Sequence, residues 1–498
     1  MPAFIGIDLG TTYSAVAYID ETGRPVIVHN KDGANVTPSC VLVRGDGVAE
    51  VGEEARRTWG LDPNVAARFK REMGTSKTYS AGGIQLTPAD LSSLVLKKLA
   101  GDASLIIGEV GEAVVTIPAN FSHEAREATM SAAKAAGLNI KFIINEPTAA
   151  ALYYAFKSGD ELHGHYAVYD LGGGTFDISV INVNGQNIDV IATNGLAKLG
   201  GDDFDGAIQK LVQEKFKASY GESLDPEDFT KVDAEEQKKS LSKRDKVSFR
   251  VARKVLELSR SEFEEAISTL IAQTEMLCET TLDEAKIEAH ELKGIFLVGG
   301  STRIPIVQKS VRALFKREPT SSVNVDEVVA LGAALYAAYK GDRSNLSATQ
   351  SNAIGKIKVN ESTSKCFGTI SIGVNRETQK EQLQNSIIIS KGSAIPCQVT
   401  ESFYTRVEGQ VMVDCQVTES TAAESDPRFV KVIWNGTLDL PPNRPAEQEI
   451  AITYEYDENQ IMKCSFVDVA TNKKTTIDLS MTKGSNEHSS TIDKFMVE

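Results

Sequence analysis

Hydrophobic positions in this chain follow two rhythms, and the rhythm changes once. Up to about residue 340, short apolar runs alternate with stretches whose apolar residues recur every three or four positions. Ala113 to Ile117, closed by Pro118, and Phe142 to Ile144 are runs of the kind that buried strands show. Before them, Thr87-Pro88-Ala89-Asp90 reads as an N-cap with proline at the first helical position, and Leu91, Leu94, Val95 and Leu99 make a helical stripe. Ser122 to Ala136 is a second helix, stopped by Gly137. Helices are also expected over about 203–220, over about 255–288 and from near Asp326 to Ala338, with a hairpin turn at Asn184-Gly185 and a strand at Ile295–Val298. This succession is mixed α/β. From Lys340 to Lys365 the chain turns polar and reads as a connector. Beyond it, alternation takes over in Val411/Val413/Cys415/Val417, in Ile450/Ile452/Tyr454/Tyr456 and in Met462/Cys464/Phe466, which predicts an all-β domain. The resulting division is 1–340, a linker at 341–362, a β domain at 363–484 and a polar tail at 485–498.

An internal echo organises the first part. Residues 4–19 read FIGIDLGTTYSAVAYI and residues 166–181 read YAVYDLGGGTFDISVI. In each, an apolar strand ends in Asp-Leu-Gly, a Gly/Thr turn follows and an alternating strand leaves. Asp8 and Asp170 are too far apart for a solenoid repeat; the spacing suits two related lobes that each open with a hairpin.

Composition narrows the classes. With 53 Lys+Arg against 68 Asp+Glu the net charge is −15, and the only basic pieces are short ones such as Lys238-Lys239 and Lys243-Arg244, which speaks against nucleic-acid binding. No run approaches the length of a membrane helix, and Met1 to Gly6 carries no basic or apolar leader pattern. The six cysteines have no paired spacing and read as small buried residues in a reducing compartment, so a cytoplasmic protein is expected. His163-Gly164-His165 has no further ligand at metal spacing and reads as the entry to a strand.

The candidate chemistry lies in the glycine turns. Glycine lets a backbone approach a phosphate with its N–H groups forward and no Cβ in the way. Asp8-Leu9-Gly10-Thr11-Thr12 and Asp170-Leu171-Gly172-Gly173-Gly174-Thr175 each supply such a turn, with threonine hydroxyls as extra donors. One copy alone is an ordinary hairpin; two copies with a later Gly299-Gly300-Ser301 point to a clamp around a polyphosphate. The two aspartates at the strand ends would then hold a hydrated Mg²⁺.

The strings GIDLGTTYS, NEPTAAALYY, DLGGGTFD, LGGDDFD and VGGSTRIP, in that order, resemble the ATPase domain of the Hsp70 heat-shock chaperone family, within the actin-like and sugar-kinase superfamily. KGSAIPCQVTESFYT and LDLPPNRPAEQEIAITYEYDENQIM resemble that family's β-sandwich substrate-binding domain. The resemblance implies an α/β actin-like ATPase domain, a duplicated ribonuclease H-like unit, followed by an all-β sandwich, with ATP/ADP and Mg²⁺ as cofactors. Among catalytic residues it implies Asp8, Lys70, Glu146, Asp170 and Thr175. Lys70 would reach the γ-phosphate, Glu146 would lie near the hydrolytic water, and Asp8 and Asp170 would face Mg²⁺. Gly10, Thr11, Thr12, Tyr13, Gly172, Gly173, Gly174, Gly200, Gly201 and Asp202 would surround the phosphates. Glu235, Lys238 and Ser242, spaced for one helical face, would meet the adenosine with Gly299, Gly300, Ser301, Arg303 and Asp326. Pro118 and Arg126 match the family's proline switch between domains, and Val413 and Phe403 match its peptide site. The implied partners are unfolded or extended peptide segments, a J-domain protein and a nucleotide exchange factor, with no nucleic acid and no membrane.

Four features depart from that family's pattern. Lys198 and Asp202 replace its usual histidine and glutamate, which touches fine tuning of turnover. The stretch Ala353 to Val359 lacks the leucine run of the family's linker, so coupling between domains is expected to be weaker or differently built. After Leu479 the chain has 19 residues, and a site without a helical lid is expected to release peptide quickly. Asn385 and Arg406 are placed by approximate alignment where apolar arch residues are usual, which predicts less purely apolar clients. An ATP-driven chaperone is therefore the leading expectation. The alternative is a nucleotide-binding adaptor or co-chaperone with little coupled turnover. A small-molecule kinase of the same superfamily is disfavoured by the β domain and the NEPTAA segment.

Overall fold

The computed structural model describes residues 3–45, 47–159, 161–320, 323–374, 379–478, 492 and 494–498. They form two compact units: the first takes the chain to Val359 and adds the described C-terminal residues, and the second begins at Asn360.

Two sheets of the first unit are built alike. In one, Ala3–Asp8 and Tyr13–Ile19 form an antiparallel hairpin, Pro25–Ile27 continues it, and Val110–Ile117 and Asn139–Asn145 add in parallel on the other side. In the other, His163–Leu171 and Phe176–Asn184 form the hairpin, Asn187–Leu196 continues it, and Gly294–Val298 lies parallel to the first strand. Strands this apolar need cover on both faces. Helices Glu146–Ser158 and Val328–Lys340 provide it from one cluster that takes Phe4, Ala15 and Val114 from the first sheet and Val168, Ile181 and Phe296 from the second. These helices pack backbone to backbone, since a Cβ on Gly332 would meet the Ala149 carbonyl, and the first strand packs as closely on the second helix, since a Cβ on Gly6 would meet Ala333 and Ala334. A smaller sheet, Cys40–Val43 with Val48–Val51 and Val65–Ala67, joins helix Pro88–Ile107 in the core of the first lobe. That helix starts at Thr87, whose hydroxyl accepts from the Asp90 amide while Asp90 caps Thr87 in return.

Three boundary expectations give way. The polar stretch expected as a linker over 341–362 belongs to the first unit as far as Val359: Ser347 caps a helix at Ala348–Ile354, Gln350 Nε2 donates to the Asp20 carbonyl at 2.9 Å, and Ile354 and Ile357 are buried in the first unit's core. The tail expected to be merely polar buries Ile492 and Phe495 in the first lobe and adds Met496–Val497 to the small sheet. The rest of the tail, 485–491 and Asp493, lies outside the described residues. The helix expected from 255 begins at Arg260, because Lys254–Ser259 pairs with Lys246–Val251 as a hairpin before Ser259 caps the turn into Arg260–Ala266.

The second unit consists of two four-stranded antiparallel sheets. One runs Glu381–Ile389, Cys366–Val374, Met412–Ser420, Lys431–Asp439; the other runs Cys397–Tyr404, Glu449–Tyr456, Met462–Asp468, Lys473–Asp478. Phe367, Cys415, Val417 and Leu438 from the first meet Ile450, Ile452, Tyr454, Met462 and Phe466 from the second in one core. Among the described residues no helix is long and apolar enough to cross a membrane, and the six cysteines are free.

Candidate functional site

A cavity of about 750 Å³ opens between the two hairpins of the first unit. Asp8, Gly10, Thr11, Thr12 and Tyr13 line it from the first lobe, and Asp170, Gly172, Gly173 and Thr175 from the second. Lys70, Glu146, Glu235, Lys238, Ser242, Gly299, Gly300, Ser301, Arg303 and Asp326 complete most of the predicted set. Gly174, Gly200, Gly201 and Asp202 stand behind the wall instead. A Cβ on Gly200 would come within 2.7 Å of the Gly173 carbonyl, and one on Gly201 within 2.6 Å of Ser301 Oγ, so these glycines let the second lobe's helix press against the phosphate-type turn. The Gly201 and Asp202 amides, at the start of helix Gly201–Tyr220, donate to the Gly172 and Gly173 carbonyls at 3.0 and 2.7 Å.

Carboxylates dominate the floor. Asp8 ends its strand beside Thr116, whose hydroxyl donates to it at 3.2 Å. Lys70 is buried in a short 3-10 turn, Phe69–Glu72, and its Nζ donates to Glu146 Oε1 at 2.5 Å. Glu146 opens its helix, where a negative charge sits well against exposed backbone N–H groups. Burial, then the charge of Glu146, pushes the Asp8 carboxyl up to about 7. Burial and then Glu146, Asp177 and Asp8 raise Asp170 well above the usual carboxylate range. Like charges crowded out of water favour any cation that can enter. The residues thus fit a hydrated divalent ion, and Thr12 Oγ1, buried with no partner, fits a phosphate oxygen beside it.

On the opposite wall Gly299, at φ 81°, brings the chain so close to the Leu171 carbonyl that no Cβ would fit. Ser301 Oγ donates to the Gly172 carbonyl at 2.8 Å, and Arg303 is held by Asp326 at 2.6 Å and by Asn324 at 2.9 Å. Helix Lys231–Leu241 presents Glu235 and Lys238 on one face, with Ser242 at its C-cap. Lys238 bonds Asp205 at 2.7 Å and the Gly201 carbonyl at 2.8 Å.

Above the cavity the lobes are clasped by charge. Asp202 takes Arg68 at 2.8 Å, Arg71 at 2.9 Å and Lys231 at 3.2 Å, while Glu235 takes Arg56 at 3.1 Å and Lys239 at 2.7 Å. Both acids are buried, and these cations hold both carboxyls below their usual range, Glu235 down to about 2 against the opposing cost of its burial. Asp202, expected at the phosphates, therefore serves this clasp. Pro118 is buried at the end of its strand, and Arg126 holds the turn after it, with Nη2 donating to the Ala119 carbonyl at 2.9 Å and Nε to that of Phe121 at 3.3 Å. Lys70 Nζ lies 5.7 Å from the Phe121 ring, so this turn touches the lysine of the site.

Four groups escaped the sequence reading. Asp177 is buried two residues past Thr175, accepts from the Asn120 amide at 3.3 Å and adds charge to the acid cluster. Its signal was the last letter of DLGGGTFD. Arg68, Arg71 and Arg56 pair with acids far away in sequence, which no local pattern announces. In the second unit, Val413 and Phe403 are half-buried against the core. Asn385, expected as an arch residue, is buried: it accepts from Thr418 Oγ1 at 2.6 Å and donates to the Glu424 carbonyl at 2.8 Å. Its place on the strand pairs it with Ile370, and the polar loop around 424 supplies what its amide needs. Arg406 is exposed and ion-paired with Glu381.

The cleft and fold define a two-lobed α/β unit followed by a β-sandwich unit. The family model described as Hsp70 protein matches residues 4–498, and the chain belongs to that family. It is a chaperone of the Hsp70 type; members of the family are ATPases that use ATP and ADP, generally with Mg²⁺, and bind unfolded peptides and co-chaperones.

Proposed function

We propose that the cleft binds Mg·ATP and hydrolyses its terminal phosphate by in-line attack of water, and that nucleotide state governs how the second unit holds extended peptide segments. The carrying observation is the convergence of Asp8, Lys70, Glu146, Asp170 and Thr175 on one cavity. Lys70 Nζ neutralises charge on the terminal phosphate, and Glu146 fixes the lysine and accepts hydrogen bonds from the attacking water. Gly172, Gly173 and the Thr11, Thr12 and Thr175 hydroxyls cradle phosphate oxygens. Asp8 and Asp170, with Asp177 across the hairpin from Asp170, would hold Mg²⁺, which when bound would offset phosphate charge. Phosphoryl transfer asks a protein mainly for such positioning and charge neutralisation. Glu235, Lys238 and Ser242 face the ribose and base, on which Arg303 stacks. The two similar sheets support a duplicated ribonuclease H-like, actin-like arrangement.

In the second unit Val413 and Phe403 form the peptide contact, and the exposed Arg406–Glu381 pair suits segments that mix apolar and charged residues. A J-domain protein and an exchange factor are the expected regulators, in the cytoplasm. Single-turnover hydrolysis with and without unstructured peptides, read beside peptide off-rates in ATP and ADP, tests the whole reading. Peptide should speed hydrolysis and ATP should speed release. Tight ATP binding with neither rate responding would overturn the coupling.

A further inference from the structure

The C-terminal residues do something that neither the cleft nor the β-sandwich uses. Ile492 is fully buried and Phe495 is 7% exposed, both within the core that Val41, Val43, Ala49, Val51 and Leu94 share. Met496 and Val497 run parallel to Val48 and Ala49, which makes them the outer strand of the small first-lobe sheet. The Met496 amide donates to the Gly47 carbonyl and the Glu498 amide to that of Ala49, while the Val51 amide donates to Glu498, each at 3.0 Å. Lys97 Nζ, from the helix under the sheet, donates to the Phe495 carbonyl at 3.2 Å. A sheet edge takes an added strand through main-chain bonds, and side-chain sockets select which strand. This groove selects an aliphatic residue followed three positions on by an aromatic one.

The sheet so completed mounts the cations of the site. Val48–Val51 turns at Gly52, φ 116°, into helix Glu53–Thr58, which carries Arg56 to Glu235 of the other lobe. Val65–Ala67 leads straight into Arg68, Lys70 and Arg71, which reach Asp202, Glu146 and Asp203. Among the described residues, each cation that the first lobe sends to the acids of the clasp, and the lysine of the floor, thus springs from the sheet that Met496 and Val497 close.

We propose that residues 492 and 494–498 form a docking segment of the nucleotide-binding lobe, seated in cis on the edge of Val48–Val51, which holds the inter-lobe clasp shut; its release loosens the clasp and speeds nucleotide exit. The exit readout rests on the nucleotide reading above, and the amide readouts do not. The test compares the full chain with a variant lacking 492–498 and with the milder Phe495→Ala and Phe495→Leu, by amide hydrogen exchange and by release of a fluorescent ADP. Loss of the strand should raise exchange at Val51 about tenfold or more and carry a smaller rise into 65–71. ADP release should quicken about threefold or more, Phe495→Leu should stay near the parent, and a peptide of residues 491–498 added in trans should reverse the changes. Unchanged exchange at Val51 would overturn the docking, and a rise confined to 48–51 with 65–71 and ADP release unchanged would overturn the coupling. Protection that falls on dilution would assign the groove to a second copy of the chain and overturn docking in cis. A full chain that holds no ADP would refute the nucleotide reading, while exchange at 51 and at 65–71 would still decide this proposal.

Discussion

The two Asp-Leu-Gly hairpins begin alike and are braced by different means. In the first, side chains hold the turn: the Gly10 amide donates to Ser14 Oγ at 3.1 Å, and Ser39, 2.9 Å from Ser14, donates to the Gly10 carbonyl at 2.7 Å. In the second, backbone carries more of the load, through the Gly172 amide to the Thr175 carbonyl at 3.1 Å and the two donors at the start of helix Gly201–Tyr220, with Ser301 Oγ adding a side-chain bond to the Gly172 carbonyl at 2.8 Å. A turn braced by backbone is set by glycines that permit close approach. One braced by hydroxyls is set by side chains that can be deleted singly. Between them Lys70 serves both, since its charge lowers Asp8 and Asp170 alike. Lys70→Ala should therefore have the largest effect, cutting single-turnover hydrolysis roughly 100-fold or more while nucleotide affinity changes little. An unchanged rate would remove the catalytic assignment.

Next in size is Gly200→Ala, which pushes a methyl into the Gly173 backbone. Overpacking against backbone costs about 1–3 kcal/mol and should shift the second turn, so thermal stability and nucleotide affinity fall together. Gly206→Ala on the same helix meets nothing within 4 Å and should leave both intact, which makes it the control.

What could be read from the sequence divides along the same line. Backbone-set features leave glycines at fixed spacing, so both turns, Gly299-Gly300 and the Asp8/Asp170 pair were legible, as was Thr87 as a cap. Asp177 was in plain view, but only the pairing of the two hairpin strands sets it directly opposite Asp170. Arg68 with Asp202 was not legible, because a pair 134 positions apart carries no periodic mark. The linker and tail misled through composition. Their serines, asparagines and lysines outweigh Ile354, Ile357, Ile492 and Phe495, yet these few apolar side chains decide where the segments pack.

Burial raises both Asp8 and Asp170, and pH exposes it. A carboxyl whose folded value rises from 3.8 to about 7 favours the folded state while protonated, and that contribution is lost as pH climbs through about 7. A divalent ion competes with the same proton. Mg²⁺-dependent nucleotide affinity should therefore strengthen by up to about tenfold between pH 6 and pH 8, a factor worth about 1.4 kcal/mol. Asp8→Asn should flatten this slope, measured by titration calorimetry in matched ionic strength. A slope that survives Asp8→Asn would place the titrating group elsewhere.

Ser39→Ala gives the smallest effect and sharpens the contrast most. It removes the hydroxyl that bonds the Gly10 carbonyl and leaves Ser14, itself buried, with the Gly10 amide as its remaining partner. A lost bond of this kind costs about 1 kcal/mol, more if the stranded group finds no water. The Ser39 amide still donates to the Thr12 carbonyl at 2.9 Å, so the turn should keep its course while its grip on phosphate loosens. Nucleotide off-rate should rise about fivefold, with thermal stability falling slightly. Ser39→Thr keeps the hydroxyl and should restore the off-rate if its methyl is accommodated. Ser301→Ala, which removes the hydroxyl on the Gly172 carbonyl, should loosen the second turn less, because the Gly201 amide still holds that carbonyl; if Ser301→Ala raised the off-rate as far as Ser39→Ala does, the distinction between the two hairpins would fall.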